Sequence, residues 1–255
     1  MSLLKKFFGE KVKKEHFDFG ILGTDIHSHF IPGIDDGAAT MEDSVNMIAA
    51  LHELGYNAVV TTPHVMSDYY RNTPEIIREG LAQVREELAQ RNIPVHVDAA
   101  AEYYVDYEFD QSIGVHELLT FGDNYILIEL PFTQVPENFH QTVFKLLGAG
   151  LRPILAHPER YAYYHTVDAI CELKEKGLLL QINTVALTGH YGPVAKKIAA
   201  GLLDSGCVDF LGSDCHRLNH VDLLKSALDH PSLQKALSNQ AFLNSSLYHP
   251  GGDGA

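Results

Sequence analysis

The stretch from Thr24 to Gly37, Thr-Asp-Ile-His-Ser-His-Phe-Ile-Pro-Gly-Ile-Asp-Asp-Gly, constrains this chain more than any other. Ile21 to Ile26 is an apolar run of strand length, and in a strand residues two apart point the same way, so His27 and His29 project to one side. Asp35 and Asp36 follow in a turn-rich segment bounded by Pro32, Gly33 and Gly37, where a loop can fold back toward the imidazoles. Paired nitrogen and oxygen donors of this kind read as part of a metal site. A bare His-x-His also ends ordinary strands, so the rest of the chain has to decide.

At 255 residues the chain can bury one sizeable core, and its length suits a single α/β barrel. A net charge of -14 argues against a surface that tracks nucleic-acid phosphates, although cations held in a site would offset part of it. Fifteen histidines is a high count, and imidazole is a favoured ligand of transition metals. The three cysteines, Cys171, Cys207 and Cys215, show no Cys-x-x-Cys spacing and leave an odd one over, which argues against a disulfide framework and for a reducing compartment. No apolar run reaches the roughly 18 residues that cross a bilayer. The basic start, with Lys5, Lys6, Lys11, Lys13 and Lys14, predicts a helical extension over residues 1–20 whose membrane contact is at most peripheral. The Gly-rich end predicts a disordered tail over 249–255, which leaves 21–248 as one domain.

Seven apolar runs recur: Ile21 to Ile26, Ala58 to Thr62, Val95 to Ala101, Tyr125 to Leu130, Pro153 to Ala156, Leu178 to Ile182 and Val208 to Leu211. Apolar on both faces, they suit parallel strands. Between them, Thr40-Met-Glu-Asp43 has the form of a capping box and is followed by Val45, Ile48 and Leu51 at helical spacing, with Gly55 as a stop. Thr73-Pro74 opens a second helix striped by Ile77, Leu81, Val84 and Leu88. Weaker helical patterns cover Glu137 to Leu147, Thr166 to Lys176, Val194 to Asp204 and Asn219 to Leu228, the last with an Asn219/Asp222 cap. Such alternation predicts a parallel sheet closed into a (β/α) barrel, with the site at the carboxyl ends of the strands.

Those ends carry a consistent chemistry. His27 and His29 follow the first run, His64 the second, Glu102 the third; Glu129 closes the fourth, His157 follows the fifth, Asn183 the sixth, and Asp214 and His216 the seventh. Singly, such a histidine is more often a packed core or loop residue and such a carboxylate a helix cap. Together with Asp36, these imidazoles and carboxylates at one barrel end would repel and desolvate one another without cations between them. The thiolate-free mixture suits manganese, iron or zinc rather than a structural zinc knot, and Cys215, pointing away from Asp214 and His216 in an extended segment, reads as packing.

The set His27, His29, Asp36, His64, Glu102, Glu129, His157, Asp214 and His216 resembles that of the polymerase-and-histidinol-phosphatase (PHP) superfamily. Within it, His-Ser-His-x-x-x-Gly-x-Asp-Asp-Gly at His27 to Gly37, Ala-Glu-Tyr-Tyr at Ala101 to Tyr104 and Ala-His-Pro-Glu-Arg-Tyr at Ala156 to Tyr161 look like the bacterial capsule-type protein-tyrosine phosphatases. The resemblance implies a distorted (β/α)7 TIM-like barrel with three divalent metal ions, manganese first among them. His27, His29, Glu102 and Asp214 would hold one, Glu102 would bridge to a second on Glu129 and His157, and Asp36, His64 and His216 would hold the third. Arg160 would meet the substrate phosphate. The second arginine that such enzymes carry past the Asp-x-His motif is replaced here by Val221, with Arg217 or His220 as substitutes.

The expected reaction is hydrolysis of phosphotyrosine by attack of a hydroxide bridging two metals, with Arg160 clamping the phosphoryl oxygens and His64, His216 or His220 near the reacting atoms. A cysteine route is excluded: it needs an arginine six residues after the nucleophile, where Cys171, Cys207 and Cys215 have Gly177, Ser213 and Val221. Competing readings are a small-molecule phosphatase such as histidinol-phosphate phosphatase, a nuclease or phosphodiesterase, and a non-catalytic metal-binding scaffold. Tyr69, Tyr70, Tyr103, Tyr104, Tyr107, Tyr161, Tyr163 and Tyr164 are expected around the mouth, mainly as packing, with Tyr104 the candidate to touch a substrate ring. The resemblance further implies a cytoplasmic enzyme whose partner is the tyrosine-rich tail of a membrane-bound bacterial tyrosine kinase, and leaves self-association open.

Overall fold

Strands and helices alternate through most of residues 17–248, the part that the computed structural model describes. In chain order they are β1 (Thr24–Asp25), α1 (Met41–Glu53), β2 (Ala58–Thr61), β3 (His64–Val65), α2 (Pro74–Gln90), β4 (His96–Ala99), β5 (Glu102–Tyr104), α3 (Tyr107–Ser112) and β6 (Tyr125–Glu129). Then come α4 (Phe139–Gly148), β7 (Arg152–Ala156), α5 (Val167–Cys171), β8 (Leu179–Asn183), α6 (Pro193–Ser205), β9 (Phe210–Gly212), α7 (Leu218–Ala227) and α8 (Pro231–Asn239). The expected tail, and the expected N-terminal helix over most of its length, lie outside the described residues.

Every strand pairing is parallel, in two ladders ordered β1-β2-β4 and β3-β5-β6-β7-β8-β9. Two of the seven apolar runs account for the split. The run at Ala58 stops at Thr62-Pro63 and resumes as β3, because proline has no N–H for the ladder, and β4 resumes as β5 past Ala100-Ala101. The segments that follow the first and last strands meet at an isolated parallel bridge, Ser28 with Cys215. There His29 N–H donates to Cys215 O (3.1 Å) and Asp214 N–H to His27 O (2.8 Å). The strands thus form a distorted TIM-like ring, and the bridge sets the first and last donor-bearing segments side by side.

One apolar cluster, Ile26, Val60, Ala100, Tyr125, Leu127, Ile154, Ala156 and Phe210 among its members, takes alternate residues of β6 and β7. The same alternation carries Glu129 to the face of Leu127, and Glu102 to that of Ala100. A larger cluster packs the helices on the strands, with Ile48 and Leu51 of α1, Ile77 and Leu81 of α2 and Leu202 of α6 among its buried members. Each fully buried aliphatic side chain contributes ~1.5–3 kcal/mol.

The capping box is present: Thr40 Oγ1 accepts from Asp43 N–H while Asp43 accepts from Thr40 N–H. Thr73 caps α2 with Pro74 in its first turn. Three expectations change. The first run is not a continuous strand, since Phe19–Ile21 forms a 3-10 turn capped by Asp18 and only Thr24–Asp25 enters the ladder. The α7 N-cap is Arg217, with no side-chain hydrogen bond, rather than an Asn219/Asp222 cap. Cys171 and Cys207 form a disulfide, contrary to the reading of the cysteine spacing: Gly201 lets α6 lie against Val167 of α5, which brings the two Cα atoms to 5.8 Å. Spacing along the chain did not reveal a contact made by helix packing. The short helices α3 and α8 were not anticipated.

Gly80 sets how closely α2 approaches the metal-motif loop, because a Cβ there would overlap Ile31 Cγ2. Gly80→Ala is therefore expected to lower stability by ~1–3 kcal/mol in urea denaturation. A gain of about 1 kcal/mol, as at an open helical position, would contradict this packing.

Candidate metal centre

The strand ends deliver their side chains to one point. Glu102 opens β5, Glu129 closes β6, and His64 opens β3, paired in register with Glu102. His157 and Asp214, just past β7 and β9, both adopt left-handed backbone (φ 34° and 50°). Such conformations cost of order 1–3 kcal/mol in non-glycine residues and mark positions that the surroundings over-determine.

Glu102 sits at the middle. Its Oε2 faces His64 Nδ1 at 3.0 Å, His27 Nε2 at 3.2 Å and His29 Nε2 at 3.5 Å, and its Oε1 faces His157 Nε2 at 3.0 Å. Asp214 Oδ1 lies 3.5 Å from both His27 Nε2 and His29 Nε2 and 3.3 Å from His216 Nδ1. Glu129 Oε1 is 3.5 Å from His157 Nε2, and Asp36 Oδ1 bridges His64 (3.5 Å) and His216 (3.4 Å) at the exposed rim. The structure brings together all nine expected metal donors. Four sets of three among them have ligand atoms close enough to share an ion: His27, His29 and Asp214; His27, Glu102 and His157; His64, Glu102 and Glu129; His29, His64 and His216.

Several of these atoms are stranded. His27 Nε2, His29 Nε2, His64 Nδ1 and Glu102 Oε2 are buried and converge, yet none makes a directed hydrogen bond. Buried polar atoms are otherwise nearly always satisfied. The outer ring atoms are held in place: His27 Nδ1 by Gln181 Oε1 (2.9 Å) and His29 Nδ1 by Asp35 Oδ2 (2.8 Å). Partners on the outer nitrogen are the usual means of aiming an imidazole at a cation. These observations fit a polynuclear cation centre.

The electrostatics agree. Burial by itself would lower the His27 imidazole, but the Glu102 and Asp214 carboxylates raise it to about 9; His64, likewise opposed by burial, is raised by Glu102 to about 10. Burial pushes Glu129 up to about 8, helped by the charge of Glu102, and burial with the nearby Arg160 charge holds His157 down at about 4. In proton terms, the cluster demands positive charge at its centre.

A cavity of about 460 Å³ opens over the donors, lined by Asp36, His64, Tyr70, Glu129, Phe132, Arg160, Tyr191, Asp214, His216, Arg217 and His220. Arg160 donates to Asp214 Oδ2 (3.1 Å) and is sandwiched between the rings of Phe132 (4.8 Å) and Tyr191 (4.4 Å). Arg217 and His220 share this lining, whereas Val221 is buried in α7. Tyr104, opposite Glu129 in the β5–β6 register, is not among the lining residues. Of the other tyrosines, Tyr70 stacks on His64, while Tyr103 and Tyr161 are buried and accept from Leu119 and Leu130 N–H. Tyr69 and Tyr107 are largely exposed, Tyr163 stacks on Tyr161, and Tyr164 meets Tyr161 edge-on.

Phe132, Gln181 and Tyr191 had not been singled out. Nothing in their local sequence marks them, because each acts through a residue remote in the chain. Asp35, unlike its neighbour Asp36, does not face the cluster: it orients His29 and accepts from His64 N–H (3.1 Å) and Gly37 N–H (2.9 Å).

Clustered imidazoles and carboxylates at the carboxyl ends of parallel strands, beside one half-buried arginine, make this a barrel hydrolase of the metal-dependent class. Residues 23–233 match the family described as "Capsular polysaccharide synthesis, CpsB/CapC", and the chain belongs to that family. It is 34% identical over 196 residues to the tyrosine-protein phosphatase YwqE of Bacillus subtilis, covering 76% of this chain and 77% of that protein. It is 29% identical to the tyrosine-protein phosphatase CpsB of Streptococcus pneumoniae, covering 76% and 83%. A solved chain from the YwqE and CpsB crystal structures, described as unique metal-dependent tyrosine phosphatases, matches with a TM-score of 0.74 at 31% identity, over 86% of this chain and 96% of that one.

Protein stripped with a chelator is expected to melt at a higher temperature once manganese is added, since saturation a hundredfold above Kd stabilises by ~2.7 kcal/mol. His27 and His64, raised to about 9 and 10, hold protons at neutral pH that the cation must displace, so the shift should be larger at pH 8 than at pH 6. Glu102→Gln should lose most of it. Equal shifts at both pH values, or none, would contradict the ligand assignment.

Proposed function

We propose that this chain is a metal-dependent protein-tyrosine phosphatase, a phosphoric monoester hydrolase that uses no cysteine. The observation that supports it best is the buried, converging donor set around Glu102 with Arg160 at its edge, in a chain of the family that includes YwqE and CpsB. His27, His29, Glu102 and Asp214 hold one divalent cation, Glu102, Glu129 and His157 a second, and Asp36, His64 and His216 a third. Manganese is the first candidate, with iron and zinc as alternatives. When bound, such ions offset phosphate charge and activate water at neutral pH.

The protein's own groups do the rest. Arg160, pinned between two rings, offers a planar donor pair to the phosphoryl oxygens. Arg217, at the start of α7 on the cavity wall, takes the place of a second phosphate contact where Val221 stands. His220 reaches the same cavity, and a tyrosine leaving group of pKa near 10 requires little acid assistance from it. The natural substrate is a phosphotyrosine tail on a bacterial tyrosine kinase of capsule or exopolysaccharide export, met in the cytoplasm. No helix among the described residues is long and apolar enough to cross a membrane.

Cys215 is fully buried and its thiol is pushed well up by burial, so it has neither access nor charge for nucleophilic work. Manganese-loaded protein is expected to hydrolyse phosphotyrosine peptides and p-nitrophenyl phosphate, and a chelator to abolish both activities. Arg160→Ala should lower kcat/KM by roughly 10²–10³, while Cys215→Ser stays near wild type. Turnover of histidinol phosphate alone, or cleavage of single-stranded DNA alone, would overturn the assignment.

A further inference from the structure

Asp214 carries an excess of donors. Its Oδ1 faces the imidazoles, while its Oδ2 accepts from Asn183 Nδ2 (2.6 Å), Tyr191 OH (3.0 Å) and Arg160 NH1 (3.1 Å). A carboxylate oxygen offers about two lone-pair sites, so three donors share them and one is surplus. Asn183 is fixed by its neighbour two residues back: Gln181 Nε2 donates to Asn183 Oδ1 (3.0 Å), and Gln181 Oε1 meets His27 Nδ1. Asn183 Nδ2 also lies within 3.3 Å of Tyr191 OH. Asn183 and Tyr191 are therefore tied into the barrel, whereas Arg160 is a quarter exposed and faces the cavity.

We infer that Asn183 and Tyr191 are positioning residues that keep Asp214 Oδ2 satisfied, so that Arg160 can leave it for a phosphoryl oxygen without stranding a buried carboxylate. The ring of Tyr191 keeps the guanidinium in place as it turns, and the hydroxyl of Tyr191, already on Asp214 Oδ2, stays there with Asn183. Asn183, alone among the strand-end polar residues in having no place in the donor set, gains a role by this arithmetic. The inference rests on Arg160 being the phosphate contact of the proposed function.

Tyr191→Phe separates the two parts of the residue, since it retains the ring over Arg160 and removes only the hydroxyl. Asp214 Oδ2 is then left with two donors, and the departure of Arg160 leaves a site unfilled. Inorganic phosphate titrated calorimetrically into manganese-loaded protein should bind roughly three- to tenfold more weakly to Tyr191→Phe than to wild type, the scale of one hydrogen bond. In an Arg160→Ala background the same substitution should change phosphate affinity less than twofold. Asn183→Ala should show the same dependence on Arg160, and it serves if Tyr191→Phe does not fold. An equal loss with and without Arg160, unchanged affinity in Tyr191→Phe, or no phosphate binding by the wild type overturns the inference. Phosphate binding with this coupling but no turnover of phosphotyrosine would leave it standing and would remove the proposed substrate instead.

Discussion

The arrangement depends on one buried carboxylate. Glu102 has no solvent exposure, stands among four imidazoles and shares its surroundings with Asp214 and Glu129. An isolated carboxylate in such a place would neutralise or leave, because the desolvation cost of buried charge is several kcal/mol. Here it is held well below the ordinary range: burial works against the charge, and His27 and His64 overcome it. Cations bound here would supply that compensation without leaving imidazole nitrogens protonated and unable to ligate. The barrel, the left-handed turns at His157 and Asp214 and the bridge from Ser28 to Cys215 all serve to bring remote donors around this one group.

Around the centre the protein places a graded set of supports. Gln181 and Asp35 orient His27 and His29 from outside, and Asp25 holds the approach of the last strand by accepting from the Ser213 N–H (2.8 Å) and hydroxyl (2.7 Å). The same Ser213 hydroxyl lies 3.0 Å from His27 O and shares its one proton between the two acceptors, so the first and last strands are laced together immediately below the donors. Gly212 permits this approach, because a Cβ there would crowd Gln181 and His27. The site's precision thus comes from strand ends rather than from its exposed loops, and only Asp36 among the donors rides on a solvent-facing turn.

Much of this was legible in the chain because two periodicities do the work. Apolar runs followed by a polar residue mark where parallel strands stop, and His27, His64, Glu102, Glu129, His157 and Asp214 all occupy such stops. The helices α1 and α2 announced themselves through Thr40/Asp43 and Thr73-Pro74. What could not be read depends on partners distant in sequence: the interruption of two strands, the Cys171–Cys207 link, the roles of Gln181 and Tyr191, and the sandwich of Arg160 by Phe132. Tyr104 was expected at the mouth from its place beside the strand-end loops; it stands opposite Glu129 in register, and the ring that faces the arginine is Tyr191, some ninety residues further along the chain.

The central claim is that cations, not protons, hold these donors together. Crystals grown with manganese and measured on both sides of its absorption edge test it directly. The account predicts anomalous peaks bounded by His27, His29 and Asp214, by Glu102, Glu129 and His157, and by Asp36, His64 and His216, with Glu102 touching two of them. A well-ordered map in which these side chains keep their positions around Glu102 but no manganese signal appears would contradict it.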